Sequence, residues 1–387
     1  MIPETSTHLA RSRMALLILG FVAVVAFLDT FAIVPILSTY ATSLGATKAQ
    51  AGWIVGLYSL ANLLANFGSG WILDRWGRRI PMAVSLLCAS VLIGLYAIGN
   101  TPLELMLLRV LHGATGAVFV PALFAVAGEY GGAHRTRTMG LIGALIGLVA
   151  VVAPPISGII IKAHGTEILL YIVSLLTALA GLSVLGLYEF APVQSRLPTF
   201  AFGTLWRSAG VVASLWLTLG MTFAMGVQTV ALPLEMETAG YNAAYRGRIW
   251  GLFALVSVLW MALVRSRHAL GGASVRASLG VGLLAWGLLA FAGLPLPAGA
   301  WLWAVLGGGG FGLAFPSVHL LAFEGATESM RGSALAVLHA FYSLGYVIGP
   351  GLAGWLTAYA LAGWIGGLLT FAMLAMAWHI GRHHPTK

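Results

Sequence analysis

The sequence predicts an all-α integral membrane protein, with about twelve transmembrane helices in two six-helix pseudo-symmetric halves. Composition is the first reason. Of 387 residues, 59% are hydrophobic and only 8% charged, where a soluble domain carries roughly 25% charged residues. The second reason is spacing: long apolar runs recur along the whole chain, each able to satisfy its own backbone as a helix in lipid. The tilted strands of alternating polarity that build a membrane barrel are absent from the pattern. The third reason is an internal repeat. LLRVLHGATGAVFVPALFAVAGEYGGAHRTR aligns with VLGGGGFGLAFPSVHLLAFEGATESMRG, so that Pro121 meets Pro316 and Glu129 meets Glu324. One residue out of that register, Arg135 meets Arg331, Pro154 meets Pro350 and Gly158 meets Gly354.

The expected spans run near 15–37, 51–73, 80–98, 103–127, 138–161 and 168–188, then near 209–233, 247–264, 274–293, 299–323, 333–359 and 361–381. The first could pass for a signal sequence, but it continues past twenty residues without a small-residue cleavage site, so it reads as the first helix. The longest polar interruption, APVQSRLPTFAFGTLWRSA, follows the sixth run. It divides the chain into an N-terminal half (1–190), a cytoplasmic linker (191–208) and a C-terminal half (209–387).

Charge sets the orientation. Placing the N-terminus in the cytoplasm puts Arg11, Arg13, Arg75, Arg78, Arg79, Arg135, Arg137, Arg196, Arg207, Arg265, Arg267, Arg276, Arg331, Arg382 and Lys387 on that side. Only Lys48, Lys162, Arg246 and Arg248 fall on the other side. The bias follows the positive-inside rule and predicts a multi-pass protein of the cell membrane with both termini cytoplasmic. The net charge of +9 is scattered over these short loops facing anionic lipid, which argues against a nucleic-acid partner. Cys88 is the single cysteine, which excludes internal disulfides and cysteine-based metal sites. No phosphate-binding G-x-x-x-x-G-K-[ST] loop and no His-Glu metalloprotease pattern occurs. The histidines of the tail, His379, His383 and His384, stand beside cationic residues at a terminus and are not expected to hold a metal.

Charged groups inside a span are costly and mark function. Asp29, in FLDTFAIVP, and Arg109, in LLRVLHGATGA, are the two such groups, and they are expected to interact. A carboxylate beside a cation resists protonation, and separation of the two favours proton uptake, so this pair is the candidate for proton coupling or substrate binding. The plain alternative is a permanent structural salt bridge. His112, His319 and His339 could pass protons or bind substrate, or could simply be packing histidines. Tyr58, Asn62, Asn66 and Gln228 are polar groups of possible cavity walls, with interhelical hydrogen bonding as the bland account. Glu129, Arg135, Glu324 and Arg331 are read as loop charge pairs at matching places of the halves. The tryptophans Trp53, Trp71, Trp301 and Trp303, near span ends, read as an interfacial belt.

Three motifs resemble those of the major facilitator superfamily, and within it the twelve-helix drug:proton antiporters. GSGWILDRWGRRIP is similar to the loop signature G-x-L-x-D-x-x-G-R-R, with Gly70, Asp74, Arg75, Gly77, Arg78 and Arg79 in the matching places. The resemblance implies a gate on the cytoplasmic side, in which the Asp and Arg hold one conformation closed and the glycines permit close backbone approach. The counterpart in the second half, LVRSRHALGG, lacks the acid. LLRVLHGATGA resembles the family's membrane-embedded Arg motif, carried by Arg109 and Gly113. GLVAVVAPPISG, with Pro154, Pro155 and Gly158, resembles a degraded form of the antiporter signature, and GYVIGPGLAG, with Gly345, Gly349, Pro350 and Gly354, is the better copy. Small residues spaced by four, with a proline, suit helices that bend and pack between the halves.

The resemblance implies a secondary active transporter, not an enzyme, working by alternating access. Its expected cargo is a small hydrophobic or amphipathic molecule moved outward against protons, with no cofactor, surrounded by lipid and acting as a monomer. A lipid or glycolipid flippase, or a sugar exporter of the same fold, is the alternative. A third alternative is a non-transporting receptor or an intramembrane enzyme using Asp29 with a histidine as acid and base; an enzyme would need two or more convergent catalytic groups, and the spans offer one carboxylate at depth, Asp29.

Overall fold

The computed structural model describes residues 4–131, 134–188, 205–266, 271–356 and 358–383. Among these, the regular elements are helices: α1 (Glu4–Ser43), α2 (Lys48–Trp76), α3 (Arg79–Tyr96), α4 (Pro102–Gly131), α5 (Arg135–His164) and α6 (Thr166–Val184) precede the linker. After it come α7 (Ala209–Thr238), α8 (Ala243–Ser266), α9 (Ala273–Gly293), α10 (Ala298–Gly325), α11 (Arg331–Trp355) and α12 (Tyr359–His383), with a single 3-10 turn, Glu328–Met330, before α11. Residues 191–204 of the predicted linker, and with them Arg196, lie outside the described residues, as do Arg267, His384 and Lys387.

Eleven of these helices are long and apolar enough to cross a bilayer. The exception is α2, which has the length, 29 residues, but is diluted by Tyr58, Asn62 and Asn66. Large apolar side chains such as Leu17, Phe67, Leu107, Leu175, Leu259 and Leu368 stand outward around the bundle. That belt suits hydrocarbon contact, because lipid tails give helices no hydrophobic drive to associate and the packing inside has to come from close fit.

Each half packs mainly on itself: α2 on α4, α3 on α6 and α1 on α5 in the first, α9 on α10 and α7 on α11 and α12 in the second. The glycine run of α10 makes this possible. A side chain at Gly308 or Gly312 would strike backbone carbonyls of α8, and one at Gly310 would strike the Gly280 carbonyl of α9. Trp303, expected in an interfacial belt, is instead fully buried beside that run, stacked on Phe253 at 5.0 Å and edge-on to Trp250 at 5.0 Å. The glycines leave the room that so large a ring needs. Trp53 and Trp71 do stand exposed, and Trp301 is half covered, its Nε1 donating to the Tyr245 hydroxyl at 2.8 Å.

The halves meet along two helix pairs, α5 with α8 and α2 with α11, with a smaller contact of α1 on α7. Both pairs close on glycine. Gly158 lies against the Ala243 carbonyl, Gly247 against the Pro154 carbonyl, Gly251 against the Pro155 ring, and Gly52 against Gly354 and the Pro350 carbonyl. These contacts gather at the end of the bundle where α1 leaves and α8 begins. The other end carries the start of α1, the ends of α4, α6 and α12 and the start of α7, and among the described residues α4 makes no comparable contact there with α10 or α11. The bundle is therefore closed at one end and parted at the other.

Candidate functional site

Arg109 and His112 lie one helical turn apart on α4, so their side chains leave the same face. That face meets α2 closely because residue 113 is glycine, where any side chain would overlap the Tyr58 backbone. The close approach brings the Tyr58 ring over the Arg109 guanidinium, 4.6 Å from its centre, and lets Arg109 Nε donate to the Ile54 carbonyl at 3.2 Å. Asn62, one turn further along α2, donates to the Gly113 carbonyl at 3.2 Å and accepts from Asn66 at 2.9 Å.

Asp29 of α1 faces the same place. Its carboxylate Oδ2 stands 3.2 Å from His112 Nε2, at ion-pair distance though out of line for a hydrogen bond. His112 Nδ1 lies 2.8 Å from the Tyr96 hydroxyl at the end of α3, and Tyr40 of α1 donates to the Tyr96 carbonyl at 2.7 Å. Asp29, Arg109 and His112 are 5%, 3% and 0% exposed, so the cluster is sealed from the surroundings except through Tyr58, which keeps accessible surface. The expected Asp29–Arg109 ion pair is not made in this conformation: the group within 4 Å of the Asp29 carboxylate is the His112 ring, and Arg109 is held by the aromatic face and carbonyl of α2. The reason is the short α2–α4 spacing at Gly113, which captures the guanidinium on α2 first. Chemically, Asp29, His112 and Tyr96 form a chain of three groups that can each hold or pass a proton.

The loop signature is spread over several contacts. Gly77 ends α2 at a positive φ of 74°, a backbone turn that favours glycine. Arg78 forms an ion pair with Glu129 at the end of α4. Arg79 donates to the Leu187 carbonyl after α6 at 2.9 Å, and Arg75 lies 5.7 Å from the Trp71 ring centre. Asp74 is exposed at the same end. Gly70 departs from expectation, since a side chain there would meet nothing within 4 Å; the parted end leaves it open. Glu129 also departs, taking Arg78 across the loop as its partner, while Arg135 packs beside Gly128 and Arg331 lies 4.2 Å over the Phe323 ring. Glu324 is exposed on the last turn of α10.

The antiporter-like motifs divide by direction. Gly345, Gly349 and the Pro350 ring pack on α7 inside their own half, against Thr222, Phe223 and Gly226, whereas Gly354 packs across to Gly52 and Lys48 of α2. Pro154, Pro155 and Gly158 all meet α8 of the other half. Gln228 of α7 is fully buried with both amide atoms unpartnered.

His319 and His339 come together from α10 and α11, ring centres 5.4 Å apart. Around them stand groups that sequence reasoning passed over: Phe315 is 4.7 Å from His319, Tyr342 is 6.3 Å from His339, and Tyr346 is 5.3 Å from Tyr342. The signal was present, because 339, 342 and 346 and also 311, 315 and 319 follow helical spacing. Tyr96 was missed for a different reason, lying at a helix end among ordinary apolar residues.

The sequence model of the Major Facilitator Superfamily matches residues 19–337. The chain belongs to that superfamily. It is therefore a transporter by family and not an enzyme, built from membrane-spanning helices. Among proteins similar to this major facilitator chain, "Multidrug resistance protein 1" of Bacillus subtilis is 26% identical over 166 residues, 43% of each chain. "Quinolone resistance protein NorA" of Staphylococcus aureus is 25% identical over 133 residues, 34% of each chain. The matches thus span less than half of those relatives' length. Among solved structures, a point mutant of the nucleoside transporter NupG superposes with a TM-score of 0.77 at 15% identity, covering 95% of this chain and 99% of that one. A bacterial homolog of the human lysosomal transporter Spinster, inward-facing and unoccupied, gives 0.77 at 15% identity, with 96% of both chains covered. At that identity the likeness carries the fold of the superfamily alone.

Proposed function

We propose that this chain is a proton-coupled exporter of hydrophobic or amphipathic small molecules that works by alternating access, as a monomer in the cell membrane with both termini and the linker cytoplasmic. The observation that supports it best is Asp29, a carboxylate sealed at depth with His112 and, through it, Tyr96. With His112 neutral and its proton on Nε2, Nδ1 accepts from the Tyr96 hydroxyl, and the charges of Asp29 and Arg109 offset each other. A proton arriving on Asp29 or His112 leaves the cluster with net positive charge. That charge is costly in a sealed site, so protonation favours the conformation in which the cluster is rehydrated. Such a step ties proton entry to opening of the far end. The partial similarity to multidrug resistance proteins supports efflux as the direction and drugs as the cargo.

The test is purified protein in proteoliposomes under an imposed pH gradient, offered lipophilic drugs, sugars and fluorescent lipids, with Asp29→Asn alongside. Gradient-driven drug accumulation by the wild type and not by a folded Asp29→Asn is the expected result. Full transport by Asp29→Asn ends the coupling role, and movement of lipid or sugar without drug replaces the cargo.

A further inference from the structure

The second cluster, His319, His339, Phe315, Tyr342 and Tyr346, takes no part in the proton chain. All five belong to the C-terminal half, and the two histidines sit toward the parted end of the bundle, where α10 finishes and α11 starts. His319, Tyr342 and Tyr346 are half-buried and His339 is exposed. Rings with polar edges that keep accessible surface at the parted end are within reach of a ligand entering there.

His319 is fixed in a single useful orientation. Its Nδ1 lies 2.7 Å from the Phe315 carbonyl, which can only accept, so Nδ1 carries the proton. The neutral ring then offers Nε2 as a lone pair. His339 makes no hydrogen bond to it, although the rings meet edge to face. A half-buried acceptor without a donor is a place for a ligand's donor, and the aromatic groups on either side supply faces for a flat ring.

Charge narrows the ligand further. Asp29 stands at ion-pair distance from His112, in the other half, and the acids of the described C-terminal half, Glu235, Glu237, Glu324 and Glu328, sit at helix ends or beyond. Among the described residues no carboxylate lies within ion-pair distance of His319 or His339, although Glu324 and Glu328 stand toward the same end. We infer that this cluster is a subsite for the aromatic moiety of a weakly acidic or neutral substrate, a phenol-like ring whose hydroxyl donates to His319 Nε2 while its face lies on Phe315, Tyr342 and Tyr346. The inference rests on the export reading and names its substrate class.

Binding is measured without a gradient, so that it is read apart from transport. Protein in nanodiscs is titrated with naphthol, with naphthyl methyl ether and with a naphthyl trimethylammonium ion, following quenching of tryptophan fluorescence. Naphthol is expected to bind about tenfold more tightly than its ether, the size of one hydrogen bond to a buried acceptor. His319→Ala should erase that difference, and His319→Gln, which keeps an acceptor, should restore part of it. Tyr342→Ala should weaken naphthol and ether alike. Equal binding of naphthol and ether by the wild type, or preference for the cation, overturns the subsite. If His319→Ala fails to fold, judged by size exclusion, the ether comparison on the wild type still decides. Naphthol selectivity without gradient-driven transport of any compound would leave the subsite standing and remove the export reading; drug transport without naphthol selectivity would do the reverse.

Discussion

Replacing Gly354 with alanine should shift this protein away from the conformation described here. A methyl group on Gly354 would stand 2.6 Å from the Lys48 carbonyl and 2.9 Å from the Gly52 Cα, both backbone atoms of α2 that cannot swing aside. Ordinary contact begins near 3.4 Å, so α2 and α11 have to part by about 0.8 Å at the closed end. Overpacking of this kind costs about 1–3 kcal/mol. The gain in helix propensity from glycine to alanine, up to about 1 kcal/mol, is common to every conformation and cancels. A conformation open at this end does not carry the clash, so the equilibrium moves toward it by about 5–150-fold. Gly351, three residues earlier on the same helix, has nothing within 4 Å of an added methyl and is the matched control. The assay is a spin-label distance between His134→Cys and Thr327→Cys, exposed positions on the linker end of each half, in a Cys88→Ser background because Cys88 is itself exposed. Gly354→Ala should populate a shorter distance as the linker end closes, and Gly351→Ala should not. Superimposable distributions for the two variants would show that the glycine contact does not hold the closed end.

Other substitutions probe the remaining contacts. Arg78→Ala removes the ion pair to Glu129, and transport turnover should fall while substrate affinity in detergent stays the same; adding Glu129→Gln should cost little more, because both act through one pair. Gly113→Ala pushes a methyl into the Tyr58 backbone and should unseat the Arg109 guanidinium, cutting gradient-driven uptake about tenfold or more for an overpacking cost of about 1–3 kcal/mol, whereas an active variant would show that the Tyr58 platform is dispensable. Trp303→Ala empties a fully buried site between Phe253 and Trp250 and should cost about 3–5 kcal/mol, read as a lowered thermal midpoint, while the same change at the outward Trp355 should be near neutral.

Much of the architecture was legible because a bilayer leaves a chain few choices. Apolar runs, the repeat and the glycine-proline motifs all reported it, and α2, expected as a span, is a long helix that its asparagines keep less apolar than the other eleven. Side-chain partners were less legible. Charge alone joined Asp29 to Arg109, but the glycine at 113 lets α2 take the guanidinium and leaves His112 for the acid. The same holds for Glu129, whose partner comes from a loop some fifty residues earlier in the chain. Trp303 was misplaced because position along a span was read without the glycine run that makes room for it. In each case the deciding quantity is the distance between two helix axes, which depends on small residues of both helices and is not carried by either residue of the pair.

Those distances also explain why the two halves, although built on one plan, carry different chemistry. In the first half the close α2–α4 approach seals Asp29, Arg109 and His112, which suits a group whose protonation has to be insulated from the cavity. In the second half the glycines of α10 face α8 and α9, so α10 leans away from α11 and the space between them fills with rings that keep accessible surface. Gly345 and Gly349 draw α11 onto α7, which is then almost wholly buried, Gln228 included. A substrate in contact with the second half would therefore meet rings and imidazoles, and a proton in the first half would meet a carboxylate. Coupling between them has to pass through the glycine contacts of α2 with α11 and α5 with α8, the only extensive bonds between halves among the described residues. It follows that tightening or loosening those contacts should change both the coupling of substrate to proton and the apparent affinity at the parted end, by the same shift of the conformational equilibrium. That is the behaviour to look for in Gly354→Ala: naphthol binding weakened as the linker end closes, and unchanged in Gly351→Ala.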